Sequence, residues 1–254
     1  MSRDEETIIE GRNGIIEAFR SGKSIERLFL LDGSQDGPMQ TIKREAKKQG
    51  LRIEFVSRQR LDQLSPSGKH QGALAYISAH SYASVDDIMA RAEASGEPPF
   101  IFVLDGVMDP HNLGAIIRTA NMSGAHGVII PKHSAVGLTG TVMKASAGAL
   151  NYTLVARVSN LNNTLKDLKK RGLWFACAAP DGEEMYSQDL TGPIGLVIGG
   201  EGSGVSRLLR ENCDFVTSIP TKGDIDSLNA SVAAGVLAFE IVRQRRMLIS
   251  KKFT

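Results

Sequence analysis

Four glycines surround a single carboxylate in the C-terminal third of the chain. Residues 194–198 (IGLVI) are mostly apolar and predict a buried strand, and the sequence GGEGSG follows at 199–204. Glycines are typical of a backbone that turns sharply or approaches a ligand closely, because they lack a Cβ and accept positive φ. Glu201 lies inside this cluster, so the pattern predicts a carboxylate that faces a ligand. A simple turn would use the same glycines, and the residues alone leave that alternative open.

Two polar side chains precede the last apolar segment of the chain, in the sequence IPTKGDIDSLNASVAAGVLAFE (219–240). Ser227 and Asn229 are both favoured N-cap residues, so either of them is predicted to open the final helix. A hydroxyl and an amide at a helix start can also hydrogen-bond a ligand. The pattern is compatible with both roles.

An amide and a guanidinium occur in a third segment, DPHNLGAIIRTA (109–120). Asn112 is predicted as the N-cap of a helix over 113–123, and Arg118 follows six residues later. Six residues do not bring two side chains onto one stripe of a straight helix, so the two are expected to reach a site by different routes. A guanidinium can bind phosphate with two hydrogen bonds and can stabilise a developing alkoxide.

The glycine cluster does not match the known phosphate-binding motifs of nucleotide-binding proteins. A P-loop requires Lys after its last glycine, and Val205 stands there instead. The dinucleotide fingerprint GxGxxG also fails, because Gly200 and Gly202 are followed by Ser203, Gly204 and Val205. A nucleotide-dependent oxidoreductase or kinase is therefore disfavoured.

Taken together, and in their order along the chain, the three segments resemble the motifs of the SpoU/TrmH family of RNA ribose 2'-O-methyltransferases, part of the knotted SPOUT superfamily. The resemblance covers about residues 100–246, and the preceding segment is similar to the substrate-binding domain of the bacterial RlmB branch. It implies S-adenosylmethionine as cofactor and, as target, a guanosine of 23S ribosomal RNA. Transfer RNA or another ribosomal site, as in the similarly arranged thiostrepton-resistance methyltransferases, stays open. A non-catalytic RNA-binding protein is a further alternative, which the intact motif residues disfavour.

The resemblance also implies roles for individual residues. Arg118 would be the catalytic arginine. We expect it to act by electrostatics and positioning rather than as a general base, because the pKa of arginine lies above about 12. Glu201 would orient Asn112 or Arg118, and Ser227 and Asn229 would bind the ribose or the cofactor carboxylate, or cap the last helix. The residues implied in cofactor binding are Gly199, Gly200, Ile219, Leu228 and Asn229.

Composition sets the broad class of the protein. The chain has 254 residues and a net charge of +2, with 12 Lys/Arg against 7 Asp/Glu over residues 12–80, a local excess of +5. Such an excess is expected of a surface that binds RNA phosphates, although a solvated lysine-rich face would look the same.

Cys177 and Cys213 are predicted to be buried thiols, which suits a reducing cytoplasm. No metal site, signal peptide or membrane span is expected.

The remaining sequence supplies elements that could position these residues. Residues 1–80 predict a small α/β substrate RNA-binding domain, 81–99 a linker and 100–254 the methyltransferase domain. The small polar residues and the Gly-Glu-Pro-Pro end of 81–99 are typical of a linker. Local patterns predict a first helix capped by Asn13, helices at Arg58–Leu64 and Leu161–Lys170, and strands at Ala73–Ile77 and 173–178. In the last of these, apolar strands alternate with helices, which predicts an α/β fold with a mostly parallel sheet and a ligand site at the carboxyl ends of its strands. The resemblance adds a trefoil knot.

The predicted final helix (228–246) is apolar around most of its circumference before it turns basic. Since one side can pack on the sheet, the other needs a partner, and we expect a homodimer.

Overall fold

The computed structural model describes residues 7–223 and 227–252, with side chains for 8–223 and 227–248. It divides into two compact units. The first runs to Ser81 and includes Gly137–Gly140, and the second contains Tyr82–Val136 and the chain from Thr141 onward. Within the described ranges, no helix is both long enough and apolar enough to cross a membrane.

The first unit is a four-stranded sheet with helices that bury its apolar side chains. The sheet order is β1-β4-β2-β3, in which only β2 and β3 are parallel. Its elements are β1 (Thr7–Glu10), α1 (Arg12–Arg20), β2 (Ile25–Leu31), α2 (Gly37–Lys48), β3 (Ile53–Val56), α3 (Arg58–Leu64) and β4 (Ala73–Ile77). Ile15, Leu28 and Ile42 are fully buried in one core of this unit.

The second unit is built on a six-stranded sheet of order β10-β8-β9-β5-β6-β7, in which every pairing is parallel. Its strands are β5 (Phe100–Asp105), β6 (Gly127–Pro131), β7 (Val155–Val158), β8 (Trp174–Glu184), β9 (Ile194–Gly199) and β10 (Phe215–Ser218). Its helices are α4 (Val85–Ser95), α5 (Pro110–Met122), α6 (Gly140–Ala145), α7 (Leu161–Lys170), α8 (Arg207–Glu211) and α9 (Ala230–Lys252), with a 3-10 turn at Ala149–Asn151.

Helices cover this sheet, which explains its continuous apolar strands. Side chains of α4, α7 and α8 join Ile101 and Val103 of β5 in one core, whereas α5 and α9 pack against each other beside β6 and β9. The parallel sheet predicted from the strand composition is therefore confirmed. Its carboxyl edge carries all three motif segments.

The predicted linker at 81–99 is wrong. Ser84 caps α4 through a capping box with Asp87, and Ile88 and Ala92 of this helix are buried in the second unit. The sequence ASGEPP suggested a linker because of its Gly and Pro residues, but these form only the end of the helix and the approach to β5. The second unit therefore begins well before residue 100.

Several element boundaries also differ from expectation. Gly11, not Asn13, precedes α1, and β1 was not predicted as a strand. Strand β8 was expected to end at residue 178 but continues to Glu184, because β10 changes register between Val216 and Thr217 and goes on pairing with it. Helix α9 begins at Ala230 rather than at residue 228 and continues to Lys252. Strand pairing decides the extent of β1 and β8, and pairing is not visible in local propensity.

Candidate functional site

Asn112 projects from the first turn of α5 toward the glycine cluster. Asp109 caps this helix by accepting hydrogen bonds from the backbone N–H groups of His111 (3.1 Å) and Asn112 (3.2 Å), and Pro110 occupies the first helical position. The prediction that Asn112 is the N-cap of this helix is therefore wrong. Its side chain, 7% exposed, is free for the site and donates from Nδ2 to Oε1 of Glu201 at 2.9 Å.

Asn229 completes a cluster that joins all three motif segments. Its Nδ2 donates to Oε1 of Glu201 (2.7 Å) and to Oδ1 of Asn112 (3.0 Å). Its Oδ1 accepts from the backbone N–H groups of Ser231 (2.9 Å) and Val232 (3.4 Å), so the same side chain also caps α9. Capping and site formation, offered as alternatives by the sequence, coexist here. We call Asn112, Glu201 and Asn229 the Asn–Glu–Asn cluster.

The glycines hold Glu201 in this position by letting the backbone pack against itself. A Cβ at Gly200 would clash with the carbonyl oxygen of Gly106, and a Cβ at Gly199 would clash with the backbone of Gly204. Gly200 N–H donates to the carbonyl of Asp105 at 2.7 Å, which ties the loop to the end of β5. Gly202 and Gly204 have φ of 78° and 61° and make the turn. These glycines therefore allow two segments of the backbone to approach each other closely.

A cavity of about 620 Å³ lies beside the cluster, within the second unit. Predicted residues that line it are Gly199, Gly200, Glu201, Ile219, Ser227, Leu228 and Asn229. Leu228 is 41% exposed and Ile219 is half-buried, so neither is an ordinary core residue. Asn112 does not line the cavity itself and reaches it through Glu201.

Charged groups at the cavity are few. Arg210 pairs with Asp181 at 2.8 Å, and this hydrogen bond lowers the pKa of Asp181 below its usual range. Together with Glu201 these side chains give the described lining a formal charge of −1. Thr217 Oγ1 is buried at the wall and has no hydrogen-bond partner among the residues that the structure describes.

Cys177, also at the cavity wall, is fully buried, and Cys213 is half-buried; both are free thiols. A hydrogen bond between the two thiols lowers the pKa of Cys177, while the same contact and burial raise the pKa of Cys213.

Two predicted residues stand apart from the cluster. Arg118 is exposed on α5, is not among the cavity-lining residues and has no hydrogen-bond or ion-pair partner in the described part of its own chain. Ser227 lines the cavity but makes no side-chain hydrogen bond among the described residues, and Asn229 rather than Ser227 caps α9. Residues 224–226 of the third motif lie outside the described residues.

Sequence reasoning missed several residues that build the site. Asp109 followed by Pro110 is a recognisable helix start and could have identified the true cap of α5. Asp181, Arg210 and Thr217 carry no comparable signal, since they come from β8, α8 and β10 and meet only when the sheet has formed.

Comparison with known proteins matches both parts of the chain to family models. Residues 99–239 match the SpoU rRNA Methylase family, and residues 8–83 match a model described as RNA 2'-O ribose methyltransferase substrate binding.

Individual relatives extend over nearly the whole chain. A putative TrmH family tRNA/rRNA methyltransferase, YacO, of Bacillus subtilis is 46% identical over 96% of this chain and 98% of its own. The 23S rRNA (guanosine-2'-O-)-methyltransferase RlmB of Shewanella oneidensis is 41% identical over 89% of this chain and 92% of its own. The crystal structure of the SpoU methyltransferase AviRb from Streptomyces viridochromogenes, in complex with AdoMet, superposes with a TM-score of 0.61 at 25% identity, covering 97% and 95% of the two chains.

Proposed function

The chain belongs to the SpoU rRNA methylase family, and we propose that it transfers the methyl group of S-adenosylmethionine to a ribose 2'-hydroxyl of RNA. It is an RNA methyltransferase of the TrmH/SpoU type. The observation that carries the more specific reaction is the Asn–Glu–Asn cluster, which joins three distant motifs beside one cavity.

The cavity fits the cofactor in size, polarity and charge. Its volume of about 620 Å³ suits a ligand of this size. Ile219 and Leu228 offer apolar contact for the adenosine part, and the unpartnered Thr217 hydroxyl can hydrogen-bond it. The formal charge of −1 is complementary to the positive sulfonium, which when bound supplies an activated methyl group with a neutral leaving group. Gly199, Gly200, Ile219, Leu228 and Asn229 are the residues proposed to hold it.

A ribose hydroxyl is a weak nucleophile at neutral pH, so the protein must align it and manage its proton. We assign the charge-stabilising role to Arg118, whose guanidinium can bind the neighbouring phosphate and the developing alkoxide. Glu201 fixes the amide of Asn112 and so positions the α5 segment that carries the arginine. Ser227 is left to bind the incoming ribose, since Asn229 already caps α9.

The exposed location of Arg118 supports the proposed homodimer. Val232 and Phe239 on α9 are each 49% exposed, and Met122 on α5 is 69% exposed, so both helices present large apolar side chains to solvent in the single chain. A two-fold contact through α5 and α9 would cover these side chains and carry Arg118 to the partner's cavity.

The trefoil knot is also proposed. It is supported by the membership of the chain in the SpoU methylase family.

As target we propose a guanosine of 23S ribosomal RNA, on the strength of the RlmB relative and of the basic first unit, residues 1–80, as substrate-binding domain. Transfer RNA is the second candidate, because the name of the Bacillus relative includes both RNA classes. A reducing cytoplasm, proposed as the location, agrees with both targets and with the free thiols.

The test combines cofactor binding with product analysis. Calorimetry should detect binding of S-adenosylmethionine and no binding of NAD or ATP. With methyl-labelled cofactor, unmodified 23S ribosomal RNA should acquire label in a dinucleotide that resists alkaline hydrolysis, because a 2'-O-methyl group removes the attacking hydroxyl. Label on a base would contradict the proposed reaction, label only on transfer RNA would contradict the target, and cofactor binding without transfer to either RNA would favour the non-catalytic alternative.

A further inference from the structure

Two positively charged residues lie on neighbouring strands at the carboxyl ends of β6 and β7. Lys132 follows the last residue of β6, and Arg157 lies on β7, which pairs with β6 in parallel. Arg157 Nη2 donates to the carbonyl oxygen of Lys132 at 3.2 Å. Burial, and then the nearby charge of Arg157, lower the pKa of Lys132. His133 follows and is exposed.

The guanidinium of Arg157 is held from two sides. Besides its hydrogen bond to the Lys132 carbonyl, its Cζ lies 5.3 Å from the centre of the Tyr82 ring. A guanidinium fixed in this way loses less conformational entropy when it binds an anion than a freely moving one does. We call Lys132, His133 and Arg157 the β6–β7 basic surface.

This surface lies close to the segment that carries Asn112. The loop after β6 reaches back toward β5, where Val136 N–H donates to the carbonyl of Val107 at 3.1 Å. Strands in a sheet are about 4.8 Å apart, so β7 lies about 10 Å from β5 along the same edge. The loop includes Ser134 with φ of 60°, a backbone conformation that a residue with a Cβ seldom adopts and that is often found at functional sites.

Carboxylates at the end of β5 are engaged with backbone donors. Asp105 Oδ2 accepts from Ser206 N–H at 2.8 Å, and Asp109 caps α5. The two ends of the sheet's carboxyl edge therefore differ in charge. The cavity lining near β8 and β9 has a formal charge of −1, and Lys132 and Arg157 lie at β6 and β7. A sulfonium cofactor matches the first part, and a polyanion matches the second.

We infer that the β6–β7 basic surface binds phosphates of the RNA substrate next to the nucleotide that is methylated. The inference rests on the proposed function and adds to it a substrate contact within the second unit, separate from the RNA-binding role proposed for the first. Lys132 and Arg157 bind phosphate oxygens, and His133 extends the contact at its outer side. This anchoring presents the ribose of an adjacent nucleotide to the Asn–Glu–Asn cluster.

The experiment measures RNA binding and its dependence on salt in the full chain. The variants are Lys132→Gln and Arg157→Gln, and the probe is unmodified 23S ribosomal RNA transcribed in vitro. Loss of one phosphate contact should lower the slope of log affinity against log salt by about 0.7–0.9, which corresponds to roughly sixfold weaker binding near 0.1 M salt. Methylation should lose efficiency through a higher KM for RNA, while calorimetric affinity for S-adenosylmethionine stays at the wild-type value.

Two control variants distinguish the local effect from a loss of charge or of fold. Lys166→Gln removes an exposed lysine of α7 and should leave the binding affinity unchanged. Arg157→Lys keeps the charge and should retain the salt slope, with an affinity between those of the wild type and Arg157→Gln because the fixed guanidinium is lost.

If both Gln variants keep the wild-type RNA affinity and salt slope while the wild-type enzyme is active, the inference about this surface is wrong and the proposed function stands. An inactive wild type that transfers no methyl group to RNA would overturn the proposed function and this inference with it.

Discussion

At the scale of single residues, the hydrogen bonds of the Asn–Glu–Asn cluster fix the orientation of both amides. Asn112 donates to Glu201 and accepts from Asn229, so its amide cannot be flipped without losing both hydrogen bonds. Asn229 is fixed in the same way, because its oxygen caps α9. Glu201 accepts two amide donors on one oxygen and remains exposed.

Asn112→Asp tests this network directly. The substitution replaces a donor with a second carboxylate about 3 Å from Glu201, so we expect the free energy of unfolding to fall by about 1–3 kcal/mol at neutral pH. Methylation should fall at least tenfold. Chemical denaturation and methyl transfer measure the two effects, with Asn163→Asp, on the exposed side of α7, as the matched control. Wild-type stability in Asn112→Asp would show that the cluster is not formed in solution.

Arg118→Ala tests the catalytic assignment. Arg118 is proposed to contact the RNA, whereas the glycine loop and Leu228 are proposed to hold the cofactor, so affinity for S-adenosylmethionine should stay at the wild-type level. Methylation should fall by about 10²–10³, the typical effect of removing one charge-stabilising donor. Arg207→Ala, on the exposed surface of α8, should retain full activity. Near wild-type turnover in Arg118→Ala would remove this residue from the mechanism.

At the scale of elements, the glycine loop after β9 is in direct backbone contact with the end of β5. Gly200 sits against Gly106 and donates to Asp105, so the backbone of one strand end rests on that of the other. The carboxylate of the loop and the amide of α5 therefore have a fixed separation. The site depends on this backbone contact as much as on the side chains.

Gly200→Ala should disrupt this backbone contact. The added methyl group would clash with the Gly106 carbonyl, so we expect a loss of about 1–3 kcal/mol in the free energy of unfolding, together with weaker cofactor binding. Gly192→Ala is the matched control, since a methyl group added there would have no neighbouring atom within 4 Å, and its stability should change by less than about 0.5 kcal/mol. Equal stability of the two variants would show that the loop can move away from β5.

At the scale of the whole molecule, apolar side chains on α5 and α9 and the position of Arg118 point to a symmetric pair of chains. Val232, Phe239 and Met122 are large and solvent-exposed in the single chain, although other parts of α9 are fully buried. Single exposed apolar residues are common, but a group of them on two contacting helices indicates an interface. In the proposed dimer, Arg118 of one chain would complete the site of the other.

Phe239→Glu should break the pair, because it places a charge in the apolar contact. We expect light scattering to show the 27.4 kDa monomer, with methylation lost and the far-UV circular dichroism unchanged. Leu208→Glu, at a residue of α8 that is 60% exposed, should leave mass and activity as in the wild type. A wild-type protein that is fully active as a monomer would contradict the dimer.

The sequence by itself determined the parallel sheet and the local elements with strong signals. Arg58–Leu64, Ala73–Ile77 and Leu161–Lys170 agree with prediction at both ends, because their caps or flanking turns are encoded locally. The three motif segments could also be identified, since their residue types and order are preserved in the linear chain.

Only the tertiary structure decided how those segments meet. It made α4 part of the second unit, assigned the cap of α5 to Asp109, and extended β8 through its pairing with β10. It also separated Arg118 from the cavity and brought Lys132 beside Arg157. Each of these features depends on contacts between residues distant in the chain, whereas composition and periodicity report only on neighbours along it.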